Sequence, residues 1–262
     1  MTTEAESARA PRAAMLVIGD EILSGRIQDL NAHHLAQRMS ALGIVLAEIR
    51  VVPDDHATIV AAVRTLSAAV DYVFTSGGIG PTHDDITADA VAAAFETPID
   101  VRADARAILE AYYAGRPTSG GINAARLRMA RIPEGARLIE NPVSGAPGFV
   151  LANVHVMAGV PEIFRAMLAG LEPGLAGGPP IRSHGFEVMM PEGEIAAPLG
   201  ALAEAHPAVS IGCYPFYRDR PGARVVLRSA DAAALADAAE AVRRRLETLL
   251  DASDIREVPP SD

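Results

Sequence analysis

The chain has 262 residues, half of them hydrophobic, a formal net charge of −10 and a single cysteine, Cys213. That length allows one large domain or two modest ones with real cores. The acidic balance disfavours nucleic acid and membrane surfaces as partners, since both are anionic, and one cysteine excludes a disulfide framework or a cysteine-cluster metal site.

Residues 1–12 are polar and Ala-rich, with no apolar h-region, and read as a disordered lead-in. No apolar run reaches membrane-spanning length, so a cytoplasmic location is expected. Ala13–Ile18 is a continuous apolar run, as in a buried parallel strand. Asn31–Leu42 is an amphipathic helix closed by Gly43. A second strand over Ile44–Val52 leads to Asp54 or Asp55 as cap of a helix over Ala57–Ala69. A third strand, Tyr72–Thr75, runs into the loop Ser76-Gly77-Gly78-Ile79-Gly80-Pro81-Thr82-His83-Asp84-Asp85 and a helix from near Asp85 to about Phe95. Strands separated by single helices predict right-handed crossovers and an α/β fold, a mostly parallel sheet with helices on both faces. Helices over Arg102–Tyr113 and Asn123–Ala130 follow, joined by a Gly/Pro/Ser loop expected to move. Phe149–Leu151 and Val154–Met157 form a hairpin, and Pro161 opens another helix.

Leu171–Pro180 has linker composition. Beyond it, strands over Ile181–Met190, Val209–Cys213 and Ala223–Arg228 and a helix over Ala232–Leu250 suggest a small α+β second domain. The expected division is a lead-in over 1–12, an α/β domain over 13–172 and the small domain over 181–252.

The glycine loop carries the chemistry. A loop between strand and helix exposes backbone N–H groups, and the helix N-terminus favours negative charge, so a phosphate fits there. The adjacent carboxylates of Asp84 and Asp85 would repel a bare phosphate. They make sense with a divalent cation between them and the phosphate oxygens, because Mg²⁺ is commonly held by one or two carboxylates plus phosphates. The first strand ends likewise in Gly19-Asp20-Glu21, with Asp29 and Asn31 beyond. If these strands are neighbours, Asp20, Glu21, Asp84 and Asp85 converge on one cation. Asp85, Asp29 and Asn31 are equally read as helix caps, Thr82 and Asp85 having capping-box spacing. Asp84 and Asp20 are harder to explain that way. The loops Asn141–Gly148 and Ala158–Glu162 are further candidates, or plain turns. His83 alone among the histidines falls inside a candidate site, and Cys213 reads as a core residue.

Gly19-Asp20-Glu21-Ile22-Leu23, Gly25, Asn31, the glycine loop through Thr87, and Asn141-Pro142 with Ala146-Pro147-Gly148-Phe149 resemble the molybdopterin-binding (MoaB/MogA-type) domain. More narrowly, they resemble the branch at the N-terminus of the competence/damage-inducible protein CinA and of eukaryotic FAD synthase, over most of residues 13–170. Pro191-Glu192-Gly193-Glu194 and Ile211-Gly212-Cys213-Tyr214-Pro215 resemble the small KH-like domain that follows the CinA core, without the G-x-x-G loop of RNA binding. His83 replaces the usual CinA lysine and, with Val51-Val52-Pro53-Asp54, lies closer to the FAD-synthase branch; Ala158 replaces a proline. Neither the amidase-type domain of longer CinA proteins nor the adenylyl-transferring domain of FAD synthase is recognisable in the sequence. Deamidation of a pyridine nucleotide and FAD synthesis are therefore not expected.

The resemblance implies hydrolysis of a nucleoside diphosphate compound such as ADP-ribose or FAD with Mg²⁺ or another divalent cation such as Co²⁺. Its alternatives are molybdopterin binding or adenylylation, or a non-catalytic nucleotide module. The expected cation ligands are Asp84, Asp20 and Asp85, and the catalytic residues Asp84, Asp20 and His83. Ser76, Gly77, Gly78, Gly80, Thr82, Glu21, Ser144, Gly145 and Gly159 are expected to contact substrate. The partner expected is a small nucleotide or pterin, with no nucleic acid and no membrane, and the family implies a homo-oligomer.

Overall fold

In the computed structural model of the chain, residues 9–114 and 121–258 are described. Contacts divide the chain into two units, residues 1–40 with 44–178, and 41–43 with 179–262. The proposed mobile loop falls largely on 115–120, outside the described residues, as do residues 1–8 of the lead-in. The rest of the lead-in is tied down: Arg12 opens the first strand, and its N–H donates to Asp71 Oδ2 at 2.7 Å.

The first unit is built on a six-stranded sheet of order β2-β1-β3-β8-β7-β6. Its strands are β1 (Arg12–Ile18), β2 (Val45–Val52), β3 (Tyr72–Ser76), β6 (Arg137–Ile139), β7 (Gly148–Leu151) and β8 (Val154–Met157). β2, β1, β3 and β8 run parallel, and β7 and β6 complete the sheet antiparallel. Six consecutive residues of β1 are buried, which requires cover on both faces. Ala14, Leu16 and Ile18 pack with Ile59, Val63 and Leu66 of α3 (His56–Ala69) and with Val91 of α4 (Thr87–Ala94). Asp55, rather than Asp54, caps α3, accepting the Thr58 N–H at 2.8 Å.

The remaining elements are α1 (Asp20–Leu23), α2 (Asn31–Ala41), α5 (Ala103–Ala114), α6 (Ala124–Leu127), α7 (Pro161–Leu171) and a two-stranded sheet of β4 (Ile99–Val101) and β5 (Arg131–Pro133). The helix anticipated over Asn123–Ala130 is one α-turn followed by a 3-10 turn at Arg128–Ala130. The segment expected to be linker is helical through Leu171 and continues as a 3-10 turn over Glu172–Gly174, so its first half belongs to the domain. The short strands β4, β5 and β6 were not anticipated.

The second unit is a four-stranded antiparallel sheet of order β10-β11-β9-β12 with α8 (Glu192–Ala205) and α9 (Ala232–Glu247). Its strands are β9 (Arg182–Val188), β10 (Ser210–Tyr217), β11 (Pro221–Ser229) and β12 (Ile255–Val258). β10 extends four residues beyond the predicted Cys213 end and includes Pro215, which an edge strand tolerates. Ile195 and Leu199 of α8 and Leu235, Ala238 and Val242 of α9 share a core with Phe186, Val188, Val225 and Leu227. Glu187, on β9, is 4% exposed and receives Arg218, Arg224 and Arg256; these hold its carboxyl down at about 2, Arg224 contributing most. Among the described residues, no helix is long and apolar enough to cross a membrane.

Candidate functional site

β1 has β2 on one side and β3 on the other, so the chains leaving β1 and β3 diverge from adjacent strand ends. This is the switch point where open α/β sheets place ligands. The registers set Ile18 beside Val52 and Ser76 beside both Val17 and Met157. The loops beginning at Pro53, Gly19, Gly77 and Ala158 therefore start at one level. The last three of these loops line a cavity of about 490 Å³, whose apolar wall includes Ile22, Ile27, Leu30, Met129 and Ile163.

The glycine loop can take its path only with glycine. Gly77 has φ 109°, and a Cβ there would lie 2.2 Å from the Ile18 carbonyl oxygen; Gly78 has φ 68°, and its Cβ would lie 2.1 Å from Thr87 Oγ1. Thr87 closes the loop, its hydroxyl donating to the Gly77 carbonyl at 3.0 Å and its N–H to the Gly78 carbonyl at 3.0 Å. The N–H groups of Gly78, Ile79 and Gly80 reach no acceptor among the described residues, although all three residues line the cavity. Ser76, Gly159 and the first turn of α7 line it too, and α7 has no side-chain cap. Uncapped helix N-termini and free loop N–H groups are anion-binding elements.

Asn31, first considered as a helix cap, ties the site together. Its buried Nδ2 donates to Ser76 Oγ and to the Gly159 carbonyl, each at 2.7 Å, which links the ends of β3 and β8 to α2. The capping of α2 falls to Asp29, whose carboxylate accepts the N–H groups of Asn31 at 3.2 Å and Ala32 at 3.0 Å. Asn141 does similar work in the third loop, donating to Ser144 Oγ at 2.6 Å and to the Ala146 carbonyl at 2.8 Å. Ser144 lines the cavity; Gly145 does not, its φ of 74° serving a turn packed against the Tyr112 ring.

The acidic residues separate into two groups. Glu21 and Asp85 line the cavity, whereas Asp20, Thr82, His83 and Asp84 lie outside its lining. Asp85 does not cap α4, which starts at Thr87 with Ile86 as its cap. It closes a turn just upstream, its Oδ2 accepting the Thr82 N–H at 2.8 Å and hydroxyl at 2.5 Å. The same hydroxyl stands near enough to Asp84 to hold that carboxyl below the ordinary range, with smaller help from His83 and Arg128. His83 is 97% exposed, and its Nδ1 lies 3.9 Å from Asp84 Oδ1.

Asp54, not anticipated in the site, joins the acidic group by accepting the Asp20 N–H at 3.0 Å. Burial raises its pKa, and the neighbouring charges of Glu21, Asp20 and Asp84 raise it further, against that hydrogen bond. The like charges gathered around Asp54 are ones that a cation would relieve, and oxygen donors suit Mg²⁺. Among the described residues, no three His, Cys, Asp or Glu side chains already form a metal-holding group. The residues thus fit a cation shared with phosphate oxygens and water, rather than one enclosed by protein alone.

The fold and site define an α/β domain with a glycine-lined crevice at the switch point of its sheet. The chain belongs to the family described as "Probable molybdopterin binding domain", which it matches over residues 14–176. Residues 180–252 match the family described as "FAD synthase, middle domain". A CinA-like protein of Citrifermentans bemidjiense is 36% identical over 260 residues, spanning 94% of this chain and 61% of that protein. A "Probable FAD synthase" of Caenorhabditis elegans is 36% identical over 167 residues, 57% of this chain and 32% of that protein. The crystal structure of the CinA protein of Thermoplasma acidophilum, described as of unknown function, superposes with a TM-score of 0.57 at 34% identity. It covers 62% of this chain and 98% of that one. The chain therefore spans under two thirds of the CinA-like relative's length.

Proposed function

We propose that the crevice is the active site of a metal-dependent pyrophosphatase acting on an adenylyl-linked diphosphate of the ADP-ribose or FAD type. The observation that carries this reading is the run of free N–H donors at Gly78, Ile79 and Gly80, beside the carboxylates of the neighbouring strand-end loops. The loop N–H groups and the start of α7 receive phosphoryl oxygens, and Ser144 offers its hydroxyl. The apolar wall takes the uncharged ring of the ligand.

Asp84 and Asp20 would hold the divalent cation, with Asp85 bracing the turn that carries Asp84. When bound, the cation neutralises the diphosphate and polarises its P–O bonds. Water adds to one phosphorus, and the bridging oxygen leaves with the bond's electron pair and takes a proton, giving AMP and a second phosphomonoester. His83, exposed beside Asp84, is placed to pass that proton.

A second reading is molybdopterin binding or adenylylation, favoured by the family match over residues 14–176. Incubation with ADP-ribose or FAD, with Mg²⁺ or Co²⁺, separates the two. Expected are AMP release, its loss on chelation, and its loss in Asp84→Ala. Tight pterin binding with no AMP from either compound would replace the first reading with the second, and nucleotide binding without turnover would leave only a binding module.

A further inference from the structure

The loops around the crevice carry Asp20, Glu21, Asp54, Asp84 and Asp85, so a diphosphate arriving there meets an acidic surface. A positive charge stands beside the glycine loop but outside the lining of the larger cavity. Gly78, Ile79 and Gly80 also line a small second cavity of about 20 Å³, together with Arg128, Arg131 and Asp89. Arg131 is paired with Asp89. Arg128 makes no ion pair among the described residues: its Nη2 donates to the Asp85 carbonyl at 3.1 Å, and its Nε is buried without a partner. No carboxylate reaches ion-pairing distance of this half-buried guanidinium among the described residues, although its charge is felt at Asp84, whose carboxyl it helps hold down.

We propose that Arg128 is the positioning residue of the diphosphate subsite, resting on the phosphate reading above. Its charge, acting at the glycine loop, offsets the acidic rim, while its bond to the Asp85 carbonyl fixes the loop's exit. Arg128 does not line the larger cavity, so its guanidinium does not touch the ligand. It raises the potential at the loop N–H groups, and in a partly desolvated site a nearby charge counts for far more than in water.

Calorimetric titration of the full chain with inorganic pyrophosphate and Mg²⁺ tests this without requiring turnover. Arg128→Gln is expected to weaken binding about tenfold, an ordinary effect for one nearby charge, while Arg128→Lys stays within about threefold of wild type. Asp89→Asn leaves Arg128 untouched and frees the Arg131 charge beside the same loop, so it is expected to tighten binding about threefold. Even if Arg128→Gln fails to fold, that variant tests whether a guanidinium charge beside the loop reaches its N–H groups. Wild-type affinity in Arg128→Gln, equal loss in the Lys and Gln variants, or no tightening in Asp89→Asn would each overturn the proposal alone. Failure of the wild type to bind pyrophosphate would overturn it together with the phosphate reading.

Discussion

Replacing Gly77 by Ala perturbs the point where β1, β3 and β8 meet. The backbone there has φ 109°, and the new Cβ would sit 2.2 Å from the Ile18 carbonyl oxygen. That gap is about 1 Å or more short of van der Waals contact, and the obstacle is backbone rather than a side chain that can swing away. Holding an L-residue at positive φ costs about 1–2 kcal/mol, and forcing an overpacked contact adds about 1–3 kcal/mol. The sum, about 2–5 kcal/mol, is a large share of the roughly 5–15 kcal/mol of a typical domain. Gly25 supplies the control, because it has φ 70° with nothing within 4 Å of its would-be Cβ. Gly25→Ala should lose only the backbone component, about 1–2 kcal/mol. Urea unfolding followed by circular dichroism measures both, and AMP release should fall further in Gly77→Ala than in Gly25→Ala. Equal destabilisation by the two substitutions would refute the tight-passage reasoning.

Asn31→Ala should cost about 2–4 kcal/mol in the same assay, since two hydrogen bonds vanish and the Gly159 carbonyl loses its donor. Burial depresses the His155 pKa to about 4, so the unfolded chain binds a proton below pH 6.5 that the folded one refuses. Stability of the first unit should therefore fall as pH drops from 6.5 towards 4, and His155→Phe should flatten that slope. The depressed carboxyl of Glu187 acts in a lower window. Its contribution, about 1–3 kcal/mol after screening of its exposed arginine partners, is present above pH 4.5 and lost as pH falls towards 2. Glu187→Gln should abolish that dependence in acid titrations of unfolding.

The parts of the fold that announce themselves in the sequence are those whose signals are local. The apolar runs of β1 and β3, the glycines after them, and Pro161 at the start of α7 each fix a short stretch of backbone by their own chemistry. β4, β5 and β6 are three residues long, too short to show a period of two. α8 contains Gly193 and Pro198, which argue against a helix locally, and it forms because Ile195 and Leu199 are buried against the second sheet. Asn31 looks like a cap by spacing, whereas its partner Gly159 is 128 residues away. Asp54 reaches Asp20 across 34 residues, and Arg128 reaches Asp85 across 43. Only the fold brings such residues together, and in the sequence Asp54 is marked by no more than its place just past the end of β2.

In the proposed function, phosphoryl oxygens sit on the glycine loop at the β1/β3 switch point. A crystal structure with Mg²⁺ and a non-hydrolysable α,β-methylene analogue of ADP-ribose tests it most directly. Expected are phosphonate oxygens roughly 2.7–3.2 Å from the N–H nitrogens of Gly78, Ile79 or Gly80, with the cation between them and Asp84 or Asp20. An analogue bound with its phosphorus groups away from that loop would contradict the account.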